Sequence, residues 1–298
     1  MNKRKILLGM ALLLAMTLSA QSLFVGTYNV RNQNDDDARN GNGWPRRCEA
    51  ICGLVNFESP DIFGTQEVLV GQLHDLLKGL DNYDYVGVGR DDGKEAGEYS
   101  AIFYRKDRFR LVRDGHFWLS ETPEKPGLGW DAVCVRICTW GEFEQQATKK
   151  RFFFFTLHTD HVGVKARREA MHLVLSRIKT IAKGAPVVVT GDFNVDQNDE
   201  SYTILAQSGL LKDSYASARL RFAENGTYNA FRPEASTPSR IDHIFVSPSM
   251  NVDRYAVLTD SYWTPIEGEQ PDANNLSRGI RRNPSDHYPV FAHLTFGE

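Results

Sequence analysis

The sequence predicts an α/β protein, with helices covering the outer faces of a packed pair of mixed β-sheets. Three observations point there. Ten short apolar runs alternate with four longer amphipathic stretches, no Ser- or Pro-rich linker divides them, and polar residues recur where the apolar runs stop. The 298 residues, 41% apolar and 24% charged, exclude a disordered tail, a collagen-like fibre and a disulfide-stapled miniprotein.

The chain opens MNKRKILLGMALLLAMTLSAQS, a basic start followed by an apolar run from Ile6 to Leu18 and small residues at Ser19 and Ala20. This pattern predicts a signal peptide over residues 1–20 and an exported domain over 21–298, with a retained N-terminal anchor as the alternative. Removing Lys3, Arg4 and Lys5 leaves 32 bases against 38 acids, a net charge of −6. Such a chain does not present its whole surface to nucleic acid.

Strands are predicted at Leu23–Val30, Ile62–Gln66, Tyr85–Gly89, Ser100–Arg105, Phe109–Trp118, Ala132–Trp140, Arg151–Leu157, Pro186–Gly191, Ile241–Val246 and Val290–Leu294. Helices are predicted at Trp44–Asn56, Gly71–Leu80, Lys165–Ile181 and Tyr202–Ser208. Pro45 suits the first turn of the first helix. In the third, Ala170, Met171, Val174, Leu175 and Ile178 repeat at helical spacing. The cysteines form two Cys-x-x-x-Cys pairs, Cys48/Cys52 and Cys134/Cys138. Buried thiols, a disulfide permitted by export, and a metal site at an unusual spacing are the three readings.

The polar punctuation carries the chemistry. Thr27-Tyr28-Asn29, Gln66-Glu67, Glu98, His158-Thr159-Asp160-His161, Gly191-Asp192-Phe193-Asn194, Arg240-Ile241-Asp242-His243 and Ser285-Asp286-His287 each stand at the end of an apolar strand. One such residue is ordinarily a turn or a cap. Seven on one rim of a sandwich can converge on a single cleft.

The ordered set TYN, QE, LHTDH, GDFN, RIDHIF and SDHYPV, running from Phe24 to Phe296, resembles the endonuclease/exonuclease/phosphatase superfamily. That resemblance implies a four-layered αββα sandwich and hydrolysis of a phosphoester. It also implies a divalent cation, Mg²⁺ or Mn²⁺, at Glu67 with Asn29 and Asp286. His287 would be a general base or a stabiliser of phosphoryl oxygens, oriented by Asp242. Asp192 would activate water, Asn194 would bind phosphate, and His158 paired with Glu98 would serve the leaving oxygen. Independently of any family, hard carboxylate ligands suit Mg²⁺ or Mn²⁺ better than Zn²⁺. The HTDHVGVKAR stretch resembles that of a bacterial exported subgroup nearer the carbon catabolite repressor-type deadenylases.

For substrate, two loops stand out. Trp118 and Trp130 flank a Pro/Gly-rich stretch and suit either stacking of a base or a sugar or capping of the sandwich edge. Arg278, Arg281 and Arg282 run into Ser285-Asp286-His287 and read either as an anion clamp or as solvated surface. The leading expectation is a phosphodiesterase or nuclease acting on nucleic acid or nucleotides, with no stable membrane insertion. The alternatives are a phosphomonoesterase or phospholipase-type enzyme on sugar, inositol or lipid head-group phosphates, and a catalytically inactive binding module.

Overall fold

The computed structural model describes residues 22–297; the expected signal peptide lies outside them. Among the described residues no helix is long and apolar enough to cross a membrane. Two sheets pack face to face. In the first are β1 (Ser22–Asn29), β2 (Ile62–Val68), β3 (Tyr83–Val86), β4 (Tyr99–Arg105), β10 (Leu220–Phe222), β12 (Met250–Val257) and β15 (Val290–Phe296), ordered β10-β12-β15-β1-β2-β4-β3. The second holds β5 (Phe109–Trp118), β6 (Ile137–Gln145), β7 (Arg151–His158), β8 (Val187–Asp192), β9 (Lys212–Asp213) and β11 (Asp242–Val246), ordered β5-β6-β7-β8-β11-β9. A separate hairpin joins β13 (Tyr262–Pro265) to β14 (Gly279–Arg282).

Between the sheets lies an apolar core that includes Leu23, Val25, Ile62, Phe152, Phe154, Val188, Ile244 and Leu294. The sheets come closest at Gly64, where an added Cβ would stand 2.1 Å from Thr156 Oγ1 and 2.5 Å from Thr190 Oγ1. Just above it, Gln66 Nε2 donates to Thr156 Oγ1 at 3.0 Å, so a buried amide ties one sheet to the other directly under the polar rim. Helices α2 (Trp44–Glu58) and α3 (Val70–Gly79) bury Ile51, Val55, Leu73 and Leu76 against the outer face of the first sheet. Helices α4 (Val164–Ala182) and α5 (Glu200–Ala206) do the same for the second, with Ala170, Met171, Val174 and Ile178 inward as their spacing predicts. The layers run α, β, β, α, the expected sandwich.

Several elements differ from the sequence reading. The strand expected at Ala132–Trp140 is β6, Ile137–Gln145. The alternation of Val133, Cys134, Val135 goes unused because Asp160 Oδ2 accepts from the backbone N–H of Val133 and of Cys134, at 3.1 Å each, and bends this stretch away from the sheet. The last predicted helix begins two residues earlier, where the Asp199 side chain caps it by accepting from Ser201 N at 2.7 Å. Unforeseen were β12, broken by a bulge between Val252 and Arg254, and the short α1 (Asp35–Arg39) and α6 (Ser214–Ser217). All four cysteines are free thiols, and Cys48 and Cys52 on α2 hold their sulfurs 3.9 Å apart.

Candidate active site

Strand termini put most of the polar rim in one place. The parallel neighbours β7 and β8 end side by side with His158 opposite Asp192, and antiparallel β11 brings Asp242 opposite Asp192 from the other side. From the first sheet, β1 ends at Asn29 and the loop before β15 supplies Asp286 and His287. Glu67 reaches the same point by a backbone irregularity. The register of β2 against β4 breaks between Thr65 and Val68, and Glu67 adopts φ 63°, a left-handed conformation costly for a side-chain-bearing residue. Asn194 (φ 49°) and Arg31 (φ 60°) share that strain at the same rim; held strain of this kind concentrates at functional sites.

Asp192 is the hub. One of its oxygens, Oδ2, accepts from Asn29 Nδ2 at 2.9 Å and lies 3.5 Å from His158 Nε2 and 3.6 Å from His287 Nε2; the other, Oδ1, accepts from Asn194 N at 2.8 Å. Burial and the neighbouring Asp242 carboxylate push the Asp192 carboxyl up to about 7, His287 working against them. His287 is held at Nδ1 by Asp242 Oδ2 at 2.8 Å. Against the lowering effect of burial, Asp242 and Asp192 keep its imidazole well above the ordinary value, so it carries its proton. His158 is driven the other way. Burial, then the guanidinium groups of Arg136 and Arg90, hold it well below the ordinary value and therefore neutral. Asn194 Nδ2 donates to its Nε2 at 3.0 Å and to Thr159 O at 3.0 Å.

The cation question turns on the acids. Asp286 is buried and Glu67 partly so, and each lies near Arg31 Nη1, at 3.7 Å and 3.8 Å, too far for a hydrogen bond. Burial and the facing Glu67 push Asp286 up, whereas Glu67 stays low because Asn29, His287 and Arg31 outweigh its burial. Glu67, His158 and Asp192 also offer one ligand atom each within 4.8 Å of one another. A buried, under-neutralised set of hard oxygens fits a divalent cation. Asn29 itself turns its amide nitrogen to Glu67 Oε1 at 3.0 Å and its oxygen to Arg31 N at 3.0 Å, so in this arrangement it orients Glu67. Behind it, the fully buried Arg47 donates to the carbonyls of Val30, Arg31, Asn32, Asn42 and Pro284, fixing the loops that carry Arg31 and Asp286.

Other expectations are corrected. Glu98 lines the cleft but does not bond His158; its oxygens are taken by Arg90 and by Asn32 Nδ2 at 3.0 Å. Arg278, Arg281 and Arg282 do not line it. The β13–β14 hairpin turns them aside, Arg278 onto Glu269, Arg281 onto Ser261, and Arg282 onto Thr264 and Asn42. The aromatic wall is absent as well. Trp118 is buried, its Nε1 donating to Arg90 O at 2.7 Å, and Trp130 packs against the core under α4. Three arginines that the sequence reading passed over, Arg31, Arg90 and Arg136, line the cleft with His161 and Tyr228.

This geometry meets a match by sequence. The sequence model of the Endonuclease/Exonuclease/phosphatase family covers residues 26–287. The chain belongs to that family. A Bacteroides thetaiotaomicron member of the endonuclease/exonuclease/phosphatase family is 50% identical over 93% of this chain and 98% of its own, with a TM-score of 0.88. A mannosyl-6-phosphatase of the same organism is 50% identical over 92% of this chain and 100% of its own, TM-score 0.87. The human Nocturnin catalytic domain, 18% identical with a TM-score of 0.65 over 93% of this chain and 94% of its own, shares the fold. Two Acanthamoeba polyphaga mimivirus proteins, L388 and R895, are 29% and 23% identical over 51% and 54% of this chain, which spans 60% and 28% of their lengths. As a member of the endonuclease/exonuclease/phosphatase family, the chain is a phosphoester hydrolase.

Proposed function

We propose that this chain is a divalent-metal-dependent phosphomonoesterase acting on a phosphorylated sugar. The observation that carries the reading is the cleft itself. It encloses about 400 Å³, in the range of small-molecule sites. Tyr228 is its one aromatic lining residue apart from histidines among the described residues, so there is no platform for a series of bases. The 50% identity with a mannosyl-6-phosphatase across nearly the whole chain supports the same reading over the diester expectation. The basic and apolar pattern of residues 1–20 supports export.

In this reading Glu67 and Asp286 would hold the cation, leaving Asp192 free to act on water. Mg²⁺ or Mn²⁺ bound there supplies Lewis-acid neutralisation of the phosphoryl oxygens. Asp192, with its carboxyl near 7, accepts the proton of the attacking water. His287, kept charged by Asp242, donates a charge-assisted hydrogen bond to a phosphoryl oxygen as charge develops. His158, kept neutral, orients the leaving oxygen by hydrogen bonding, and the departing alkoxide takes its proton from water in the cleft.

The test is phosphate release by the purified protein with Mg²⁺ and with Mn²⁺, comparing mannose 6-phosphate, bis-p-nitrophenyl phosphate and single-stranded DNA. The proposal expects the highest kcat/KM on the sugar monoester and loss of activity with chelator. Preferred cleavage of the diester or the DNA would overturn it.

A further inference from the structure

On one side of the cleft stands a polar wall to which the phosphate chemistry assigns no contact, although its arginines hold His158 neutral. Arg136, 5% exposed, places Nη2 3.1 Å from His161 Nδ1 and Nε 3.7 Å from Asp160 Oδ2. Arg90 pairs with Glu98, and Trp118 holds the backbone of Arg90 in place. Asp160 fixes the wall. Besides Val133 and Cys134, it accepts from Val162 N at 3.0 Å and Gly163 N at 2.7 Å, joining the loop of Arg136 to the loop of His161. The Nε atoms of both Arg90 and Arg136 are buried without a hydrogen-bond partner. Each faces a carboxylate of the wall itself, Asp91 Oδ1 at 3.9 Å for Arg90 and Asp160 Oδ2 at 3.7 Å for Arg136.

Charge decides which acceptor fits. Each guanidinium already has a carboxylate, Arg90 with Glu98 and, at 3.9 Å, Asp91, and Arg136 with Asp160, so the wall carries no spare positive charge for a second anion. What it offers is a mixture of donors on Arg136, Arg90 and His161 with acceptor lone pairs on Glu98. That mixture matches adjacent hydroxyl groups, each of which donates and accepts once. The wall also adjoins His158, the residue on the leaving-group side.

We infer that Arg136, His161 and the Arg90–Glu98 pair form the leaving-group subsite, reading the ring hydroxyls of a neutral sugar, with Asp160 as the positioning residue. This rests on the phosphomonoesterase reading. The experiment compares kcat/KM for a hexose 6-phosphate with kcat/KM for p-nitrophenyl phosphate in the wild type, in Arg136→Met and in His161→Ala. His161 is exposed, so its removal leaves the fold intact even if the buried Arg136 does not tolerate replacement. The ratio of sugar to nitrophenyl turnover falls about 30-fold in Arg136→Met, which loses charge-assisted hydrogen bonds, and about fivefold in His161→Ala. Equal losses on both substrates would overturn the subsite while leaving the phosphatase reading standing. So would a tenfold preference of the wild type for a hexose bisphosphate, which would mark an anion site. Wild-type inactivity on every monoester would remove the parent reading and the subsite with it.

Discussion

The two histidines of the cleft lie on opposite sides of one carboxylate, His158 3.5 Å and His287 3.6 Å from the same Asp192 oxygen. Both are buried, yet their surroundings drive them apart. His287 faces Asp242 and Asp192 and carries charge; His158 faces Arg136 and Arg90 and is neutral. In the proposed mechanism the two sheets together thus make a charged side for the phosphoryl group and an uncharged side for what leaves. The difference teaches that roles in this family's site are set by the second neighbour of each side chain, because the side chains themselves are alike.

The comparison breaks most sharply at its hub. Asp192→Asn is expected to lower kcat by about 10²–10⁴-fold with an unchanged melting curve. His287→Gln falls in the same range, and His158→Gln loses less because no proton transfer depends on it. Steady-state rates on the three variants check the order, and an equal loss for both histidines would contradict it. Next in size is the metal requirement. Asn29→Ala frees the Glu67 carboxylate, and the half-saturating Mg²⁺ concentration rises about 10–100-fold; an unchanged titration would place the cation elsewhere.

The pH profile sharpens the same contrast. Asp192 must lose its proton to act as base, so activity rises with pH through about 7. His287 must keep its proton, so activity falls again only as pH climbs through its raised value, well above the ordinary imidazole range. A rate that declines through pH 6–7 would reverse the assignment. The smallest effect belongs to the other arginines. Arg278→Ser with Arg281→Ser changes kcat/KM by about twofold or less, because both are exposed and turned onto Glu269 and Ser261.

Those arginines also show where the sequence misleads. Arg278, Arg281 and Arg282 are near Asp286 along the chain, but the hairpin of β13 and β14 carries their side chains away from it. Sequence proximity is not spatial proximity once a hairpin intervenes. Asp192, Asp242 and His158 were legible because each ends or begins a strand, His287 because it stands in the loop just before one, and strand pairing alone places Asp192 opposite both His158 and Asp242. Arg90 and Arg136 sit in irregular loops whose positions depend on single side chains, Trp118 for one and Asp160 for the other. No spacing rule announces such a contact. The same Asp160 displaced the strand expected at Ala132–Trp140, so one buried carboxylate accounts for both an error of fold and an omission at the site. Glu98 is the reverse case: it reached the cleft as expected, yet Arg90 and Asn32, not His158, hold its oxygens.

The most direct measurement is the imidazole nitrogen NMR titration of the metal-free protein between pH 5 and 8, with His158 and His287 assigned by substitution. The account predicts that His287 titrates well above, and His158 well below, the ordinary imidazole value. It also predicts that Arg136→Met brings His158 back toward the ordinary imidazole value. Parallel titration of the two rings near their ordinary value would contradict it.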